Sequence, residues 1–401
     1  MSIGSICYGL VLLAPISLAL TLVAHLTAFL VLSPRRRKLH GPTPPITVLK
    51  PVKDAEEGLY ENLASLARQD YPEFEILVGA EDPLDPALDV ARRVQMDHPG
   101  ARIEIRAGSR RLGLNPKVNL LAALADSARH EHLLIDSNVR AGPDYLRETA
   151  AELADPEVGL VTNVLVGEDA PGLGAALENL QLNSFVAAAS SFARVIGGRA
   201  CVIGKSMLFR RRDLDKLGGF WAVRNVLAED YVIGRSFEQA GWKVALSPCL
   251  LAAVNRGWTV QRFANRHVRW AQMRRRLSLP AYLGELLFNP VLWISVAACA
   301  LAATRPGLDL RLAAVAAVAA TGVAVKCASD ALLCRRLRGA PPRAGEVLLI
   351  PVKDLAMAAI WLVGAFRRTV NWRGNKLWID SGSELSEVAP PVFEEPAQEV
   401  A

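Results

Sequence analysis

The 401-residue sequence has no two cysteines at metal-ligand spacing. Cys7, Cys201, Cys249, Cys299, Cys327 and Cys334 are scattered, several of them within apolar runs. That speaks against a zinc module and leaves reduced, packed thiols. Aromatic residues reach only 6% and form no stripe interleaved with basic residues, so nothing in the chain supports a nucleic-acid-binding surface. The composition of a plain soluble protein is also missing. Hydrophobic residues make up 51% of the chain and the mean hydropathy is +0.22, yet charged residues still reach 21%. Apolar and polar stretches must therefore be segregated along the sequence. The formal charge of +6 sits mainly in short basic clusters, which suits contact with anionic lipid headgroups. The length accommodates one substantial globular domain and a membrane-embedded part.

The segregation is plain along the chain. An apolar run over residues 6–32 is long enough to cross a bilayer. Arg35, Arg36, Arg37 and Lys38 follow it at once, whereas a signal peptide carries its basic residues before the apolar core. Residues 1–34 thus read as a retained anchor, with the chain from residue 35 onward in the cytoplasm. Residues 41–284 read as an α/β domain ending in an interfacial helix. Strands expected at 46–49, 75–80, 102–106 and 132–135 alternate with helices expected at 57–69, 88–96 and 117–128. This rhythm predicts a mostly parallel sheet, with ligands beyond the carboxyl ends of its strands. Residues 285–370 read as membrane segments: 286–304 and 312–329 each suit one crossing, joined by a turn near 305–307. Arg335, Arg336, Arg338 and Arg343 then mark a return to the cytoplasm. A third stretch, 347–366, contains Lys353 and Asp354 and is followed by Arg367, Arg368 and Arg373, so it either spans or is re-entrant. The acidic tail, 381–401, reads as disordered.

Four features of the α/β domain carry chemistry. Glu81-Asp82 ends an apolar strand and precedes Pro83, where a carboxylate is by itself an ordinary turn residue. Asp136 ends the apolar run Leu133-Leu134-Ile135. A carboxylate at a buried strand tip can ligate a divalent cation, and a transferase uses one to neutralise a departing diphosphate. Many such enzymes show Asp-x-Asp here; this chain has Asn138 at the second position, leaving Asp136 as the surer ligand. Glu229-Asp230 opens an expected helix, either as an acidic pair favoured by the helix dipole or with Asp230 as a general base. Last, Arg266-His267-Val268-Arg269-Trp270 begins a basic amphipathic stretch running to Arg276. Such a stretch suits a membrane surface, and Arg269 can at the same time reach a pyrophosphate while Trp270 walls the acceptor site.

Together with Val-Leu-Lys-Pro-Val-Lys-Asp ending at Asp54, the segments from Leu66 to Ala87, Gly113 to Leu121, Leu133 to Leu146 and Cys201 to Arg211 complete an ordered set. On these motifs, residues 45–280 resemble ceramide glucosyltransferases and the bacterial lipid glycosyltransferases related to them, which share a GT-A fold. Arg266 to Trp270 matches their (Q/R)xxRW signature. The resemblance implies that Asp82 contacts the nucleotide, that Asp136 is the metal-site carboxylate for Mg²⁺ or Mn²⁺, and that Asp230 is the catalytic base. It implies that Arg266, Arg269 and Trp270 complete the site, that Lys50 and Pro51 border the uridine, and that Lys117 and Asn119 approach the donor. The reaction implied is inversion, a lipid hydroxyl displacing UDP from UDP-glucose. One base suffices, whereas a glycosidase needs a second carboxyl as acid.

Animal members carry a histidine-containing segment where residues 182–192 hold no histidine and are rich in Ala and Ser, so acceptor and sugar stay open. Ceramide is the leading acceptor. A hopanoid-type polyol receiving an N-acetylhexosamine keeps the chemistry and changes the lipid. A processive polysaccharide synthase needs more membrane helices for its channel, and a non-catalytic scaffold has no reason to keep Asp82, Asp136, Asp230 and Arg269 together. The abundance of Ala and Arg points to a bacterial inner membrane.

Overall fold

The computed structural model describes residues 3–32, 40–168, 171–199, 201–304, 309–372 and 375–387. The basic cluster Arg35 to Lys38, the turn at 305–307, Arg373 and the tail from residue 388 onward lie outside these residues. Helix α1 (Ile3–Val31) precedes a seven-stranded sheet made of β1 (Ile46–Pro51), β2 (Phe74–Ala80), β3 (Ile103–Ala107), β4 (His132–Asp136), β5 (Val158–Gly167), β6 (Ser206–Arg210) and β7 (Lys243–Ala253). Their spatial order is β3-β2-β1-β4-β6-β5-β7. All pairings are parallel except those of β6, which runs antiparallel to both β4 and β5. Every residue of β1 and β5 is buried, because helices cover both faces, and such strands read as near-continuous apolar runs.

Alternation across the sheet separates two cores. Ile46, Val48, Ile76, Val78 and Leu134 face one of them, with Leu63 of α2 (Leu59–Ala67) and Leu88 of α3 (Pro86–Asp97). Leu49, Leu77, Leu133 and Ile135 face the other, with Leu120, Leu121 and Leu124 of α4 (Pro116–Asp126). Both α3 and α4 start earlier than expected, because Asp85 and Asn115 cap them and a proline occupies the first helical position of each. Helix α5 (Tyr145–Ala150) follows β4. The strand order reverses around β1, which has β2 on one side and β4 on the other. The crevice at such a switch point, beyond the strand ends, is where open α/β sheets bind ligands.

After β5, α6 (Leu173–Gln181), a π-helical turn (Leu182–Val186) and α7 (Ala187–Val195) follow one another without a break. Short helices α8 (Arg211–Lys216) and α9 (Gly219–Ala222) lead to α10 (Glu229–Gln239), and β7 leads to α11 (Val260–Leu277). Then come α12 (Leu279–Gly284), α13 (Pro290–Thr304), α14 (Asp309–Arg338) and α15 (Ala344–Phe366). Among the described residues, Gly9–Val31, Leu312–Arg338 and Ala344–Phe366 are long and apolar enough to cross a membrane. Leu12, Ile16, Leu26 and Leu30 of α1 and Leu348, Val352, Leu362 and Phe366 of α15 are exposed, as a lipid-facing surface requires. The chain is a membrane protein.

Two expectations are corrected here. Residues 286–304 do not form one straight helix: a 3-10 turn (Glu285–Phe288) ends at Asn289, Pro290 starts α13, and the two halves bend by 73°. Proline cannot continue the preceding turn, and the Asn289 side chain accepts from the Leu292 N–H at 3.1 Å, capping a new helix. The chain after α15 is not disordered over residues 381–387. There β8 (Thr369–Trp372), β9 (Asn375–Ile379) and β10 (Leu385–Glu387) form an antiparallel sheet whose Val370, Leu377, Ile379 and Leu385 pack on Leu227.

Candidate active site

The register of β1 and β4 places Leu49 opposite Ile135, so Lys50 and Asp136 emerge side by side at the switch point. Both are fully buried, and the Lys50 ammonium donates to Asp136 Oδ1. Burial pushes the Asp136 carboxyl up, against the pull of Lys50. The Tyr145 hydroxyl lies within reach of the Asp136 carboxylate, and Oδ2 accepts from no other described side chain. No three His, Cys, Asp or Glu side chains stand together as a metal cage among the described residues. A divalent cation would fit here only by combining this oxygen with phosphate oxygens and water, as Mg²⁺ sites commonly do. Asn138 does not complete an acidic pair. It adopts φ 49°, which asparagine tolerates, and its carboxamide bridges Glu56 and Asn62, the latter at 2.7 Å.

Asp230 sits in the first turn of α10. Its Oδ2 accepts from the Gly204 N–H at 2.7 Å and its Oδ1 from its neighbour Tyr231 N–H at 2.8 Å. Burial and the adjacent Glu229 raise its carboxyl above the usual range, which moves a base toward neutral working pH. Lys117, in the first turn of α4, pairs with Glu229 at 2.7 Å and donates to the Gly204 carbonyl at 3.1 Å. Asn115 donates to the Val226 carbonyl at 2.6 Å. The C-terminal sheet braces the same segment: Leu227 N–H donates to the Ser383 carbonyl at 2.9 Å, and Ala228 N–H to its hydroxyl at 3.3 Å.

Helix α11 carries the third group. Its apolar face, with Phe263, packs on Leu177 of α6 and Ile360 of α15. Arg266 pairs with the buried Glu178 at 3.0 Å and lies over the rings of Trp258 and Trp270, at 5.1 and 4.4 Å. His267 Nε2 meets the other Glu178 oxygen at 2.8 Å. Burial alone would raise Glu178, but Arg266 and His267 hold it below the usual carboxylate range. Burial also lowers His267, keeping the ring neutral. Arg269 is half-buried; burial and Arg266 lower its guanidinium while Glu229 opposes them, and such a group can fork onto phosphate oxygens.

Lys205, just before β6, was not assigned by sequence reasoning. Burial and the field of Arg266 lower its ammonium to about 7, with Lys117 and Lys50 acting in the same direction. Glu56 acts in the opposite direction. The only sequence signal for Lys205 is its place in the segment from Cys201 to Arg211. Tyr145, whose hydroxyl lies 2.8 Å from Ser206 Oγ, had the same signal from the segment Leu133 to Leu146, and Glu178 carried none. Other expected residues have local duties. Asp82 is exposed and accepts from the Leu84 N–H at 2.8 Å, closing a turn at the end of β2, and no contact joins it to Asp136 or Asp230 among the described residues. Asn119 holds the 112–113 backbone through three hydrogen bonds of 3.0 Å. Pro51 is buried at the end of β1.

The profile of Glycosyl transferase family 21 matches residues 9–385. The chain belongs to this family. Two relatives are Ceramide glucosyltransferase 1 of Caenorhabditis elegans, 30% identical over 236 residues, and Ceramide glucosyltransferase 3 of the same organism, 26% identical over 276 residues. The matches cover 58% and 66% of this chain and 50% and 59% of those proteins, so the chain spans about half the length of these relatives. A mannosyltransferase from Pyrobaculum calidifontis, solved in complex with GDP-Man and Mn²⁺, superposes with a TM-score of 0.51 at 21% identity, covering 87% of this family 21 chain and 99% of its own. The expected GT-A type fold is thereby established.

Proposed function

We propose that this chain transfers glucose from UDP-glucose, with inversion, to the hydroxyl of ceramide at the cytoplasmic face of a bacterial inner membrane. The observation that carries the reading is the juxtaposition of Asp230, fixed on the Gly204 N–H, with Lys117, which donates to the Gly204 carbonyl, beside the Lys205 ammonium that feels the field of Arg266. The acceptor O–H gives its proton to Asp230 as its oxygen bonds to the anomeric carbon, and the bond from that carbon to the diphosphate oxygen breaks, its electron pair leaving with UDP. Lys205, Arg266 and Arg269 bind the diphosphate and offset its growing charge. Mg²⁺ or Mn²⁺ at Asp136 would supply further neutralisation of the leaving group when bound. Lys50 and Pro51 border the uridine, Asp82 contacts the nucleotide, Lys117 and Asn119 shape the donor side, and Trp270 walls the acceptor.

A second reading keeps this chemistry and changes the lipid to a hopanoid-type polyol with an N-acetylhexosamine donor. It is favoured by the histidine-free, Ala- and Ser-rich segment 182–192. The test is to incubate purified protein with a panel of nucleotide sugars and lipid extracts, with Mg²⁺, Mn²⁺ or chelator, and to identify products by mass. Glucosylceramide formed from UDP-glucose is the expected product. Modified hopanoids alone would replace the first reading by the second, and long polymers alone would replace both.

A further inference from the structure

Between α1, the π-helical turn with α7, the α12–α13 bend and α15 lies a narrow, partly open cleft. Its floor is ionic although its walls are membrane helices. Lys326 and Asp330 of α14 pair with each other, Lys326 reaches Asp354 at 3.2 Å, Lys353 reaches Asp354 at 2.7 Å, and His25 Nε2 lies 3.3 Å from Asp330. Ionisable groups at membrane depth are expensive and are kept where they serve a site. Cross-linking of helices accounts for these pairs. It does not account for two further buried polar atoms in the cleft wall, Thr21 Oγ1 and His25 Nδ1, which have no hydrogen-bond partner among the described residues, beside the buried Gln181 of the same wall.

We propose that this cleft holds the uncharged head of the acceptor lipid, with Thr21, His25 Nδ1 and Gln181 hydrogen-bonding its hydroxyl and amide groups. The proposal rests on the lipid transferase reading above. Charge selects the class of ligand. The two lysines of the floor are balanced by two aspartates, and Arg274 in the wall is balanced by Glu285 at 2.5 Å. With no surplus cation, an anionic phosphate head gains nothing that offsets its desolvation, whereas a neutral head with donors and acceptors satisfies the unpaired groups. One helix serves both the cleft and the transfer site. Helix α11 supplies Arg266 and Arg269 to the crevice and, one to two turns on, Ala271 and Arg274 to the cleft.

The test is photolabelling of the full chain in nanodiscs with two probes bearing the same diazirine acyl chain, a long-chain N-acyl aminodiol and a phosphatidic acid. The expected result is that the aminodiol labels peptides of α1, residues 181–189 and α15, is displaced by unlabelled aminodiol, and is at least fivefold more efficient there than the phosphatidic acid. Gln181→Leu, which keeps the volume, and Ala189→Phe, which fills the cleft, should each cut that labelling severalfold. Equal labelling by the phosphatidic acid would overturn the proposal, as would adducts confined to outward residues of α1 and α14. The wild-type map needs no variant to fold. Cleft labelling without glycosyl transfer would leave this site standing and remove the transferase reading; transfer with adducts elsewhere would do the reverse.

Discussion

Gly204→Ala perturbs the proposed base without touching its chemistry. A Cβ added at Gly204 would stand 2.5 Å from Asp230 Oδ2, 2.8 Å from its Cβ and 2.9 Å from its Cγ, where ordinary contact begins near 3.4 Å. Relief of the closest contact demands a displacement of about 0.9 Å, and a misplacement of about 1 Å in a reacting group can cost about 100-fold in rate. The Gly204 N–H bond to the carboxylate, 2.7 Å, would be lost or bent in the process. Overpacking of this size lowers stability by about 1–3 kcal/mol, so the variant should still fold. Steady-state transfer assays in detergent, alongside nucleotide binding by calorimetry, separate the two effects. The expected outcome is a fall in kcat of about 100-fold with donor affinity within a few-fold of wild type. A variant with unchanged kcat would refute the placement of Asp230 as the group that takes the acceptor proton.

Lys205, lowered to about 7, is protonated below that pH and neutral above it, so kcat/KM for the donor should fall about tenfold per pH unit on the alkaline side. Lys205→Arg should abolish that limb, because guanidinium does not titrate there; an unchanged profile would remove Lys205 from diphosphate binding. Ser383→Ala removes the hydroxyl that accepts from Ala228 N–H at 3.3 Å, and should cost about 1 kcal/mol and lower kcat with donor affinity unchanged, as followed by thermal unfolding and transfer assays.

The part of the fold that repeats was legible. Apolar strands β1 to β4 and the helices between them announce themselves by period and by caps such as Asp85 and Asn115, and the ordered motifs carry Asp136, Asp230 and Arg266. What failed to read was whatever long-range pairing decides. Glu178 is a lone acid in an apolar helix until folding sets it against Arg266, some ninety residues later. Lys50 is expected only at the border of the uridine, and the register of β1 on β4 buries it beside Asp136. The strands β8 to β10 are short, and their few apolar residues gain meaning only against Leu227. Asp82 is the reverse case, a motif residue that the fold leaves exposed in a turn.

The most direct measurement is single-turnover glucosyl transfer by Asp230→Asn, with UDP-glucose binding measured on the same preparation. Asparagine keeps the size and can still accept the Gly204 N–H, so donor affinity should hold while the rate drops by about 100- to 10,000-fold, the usual worth of a general base. Transfer at the wild-type rate by a folded, donor-binding Asp230→Asn protein would contradict the account.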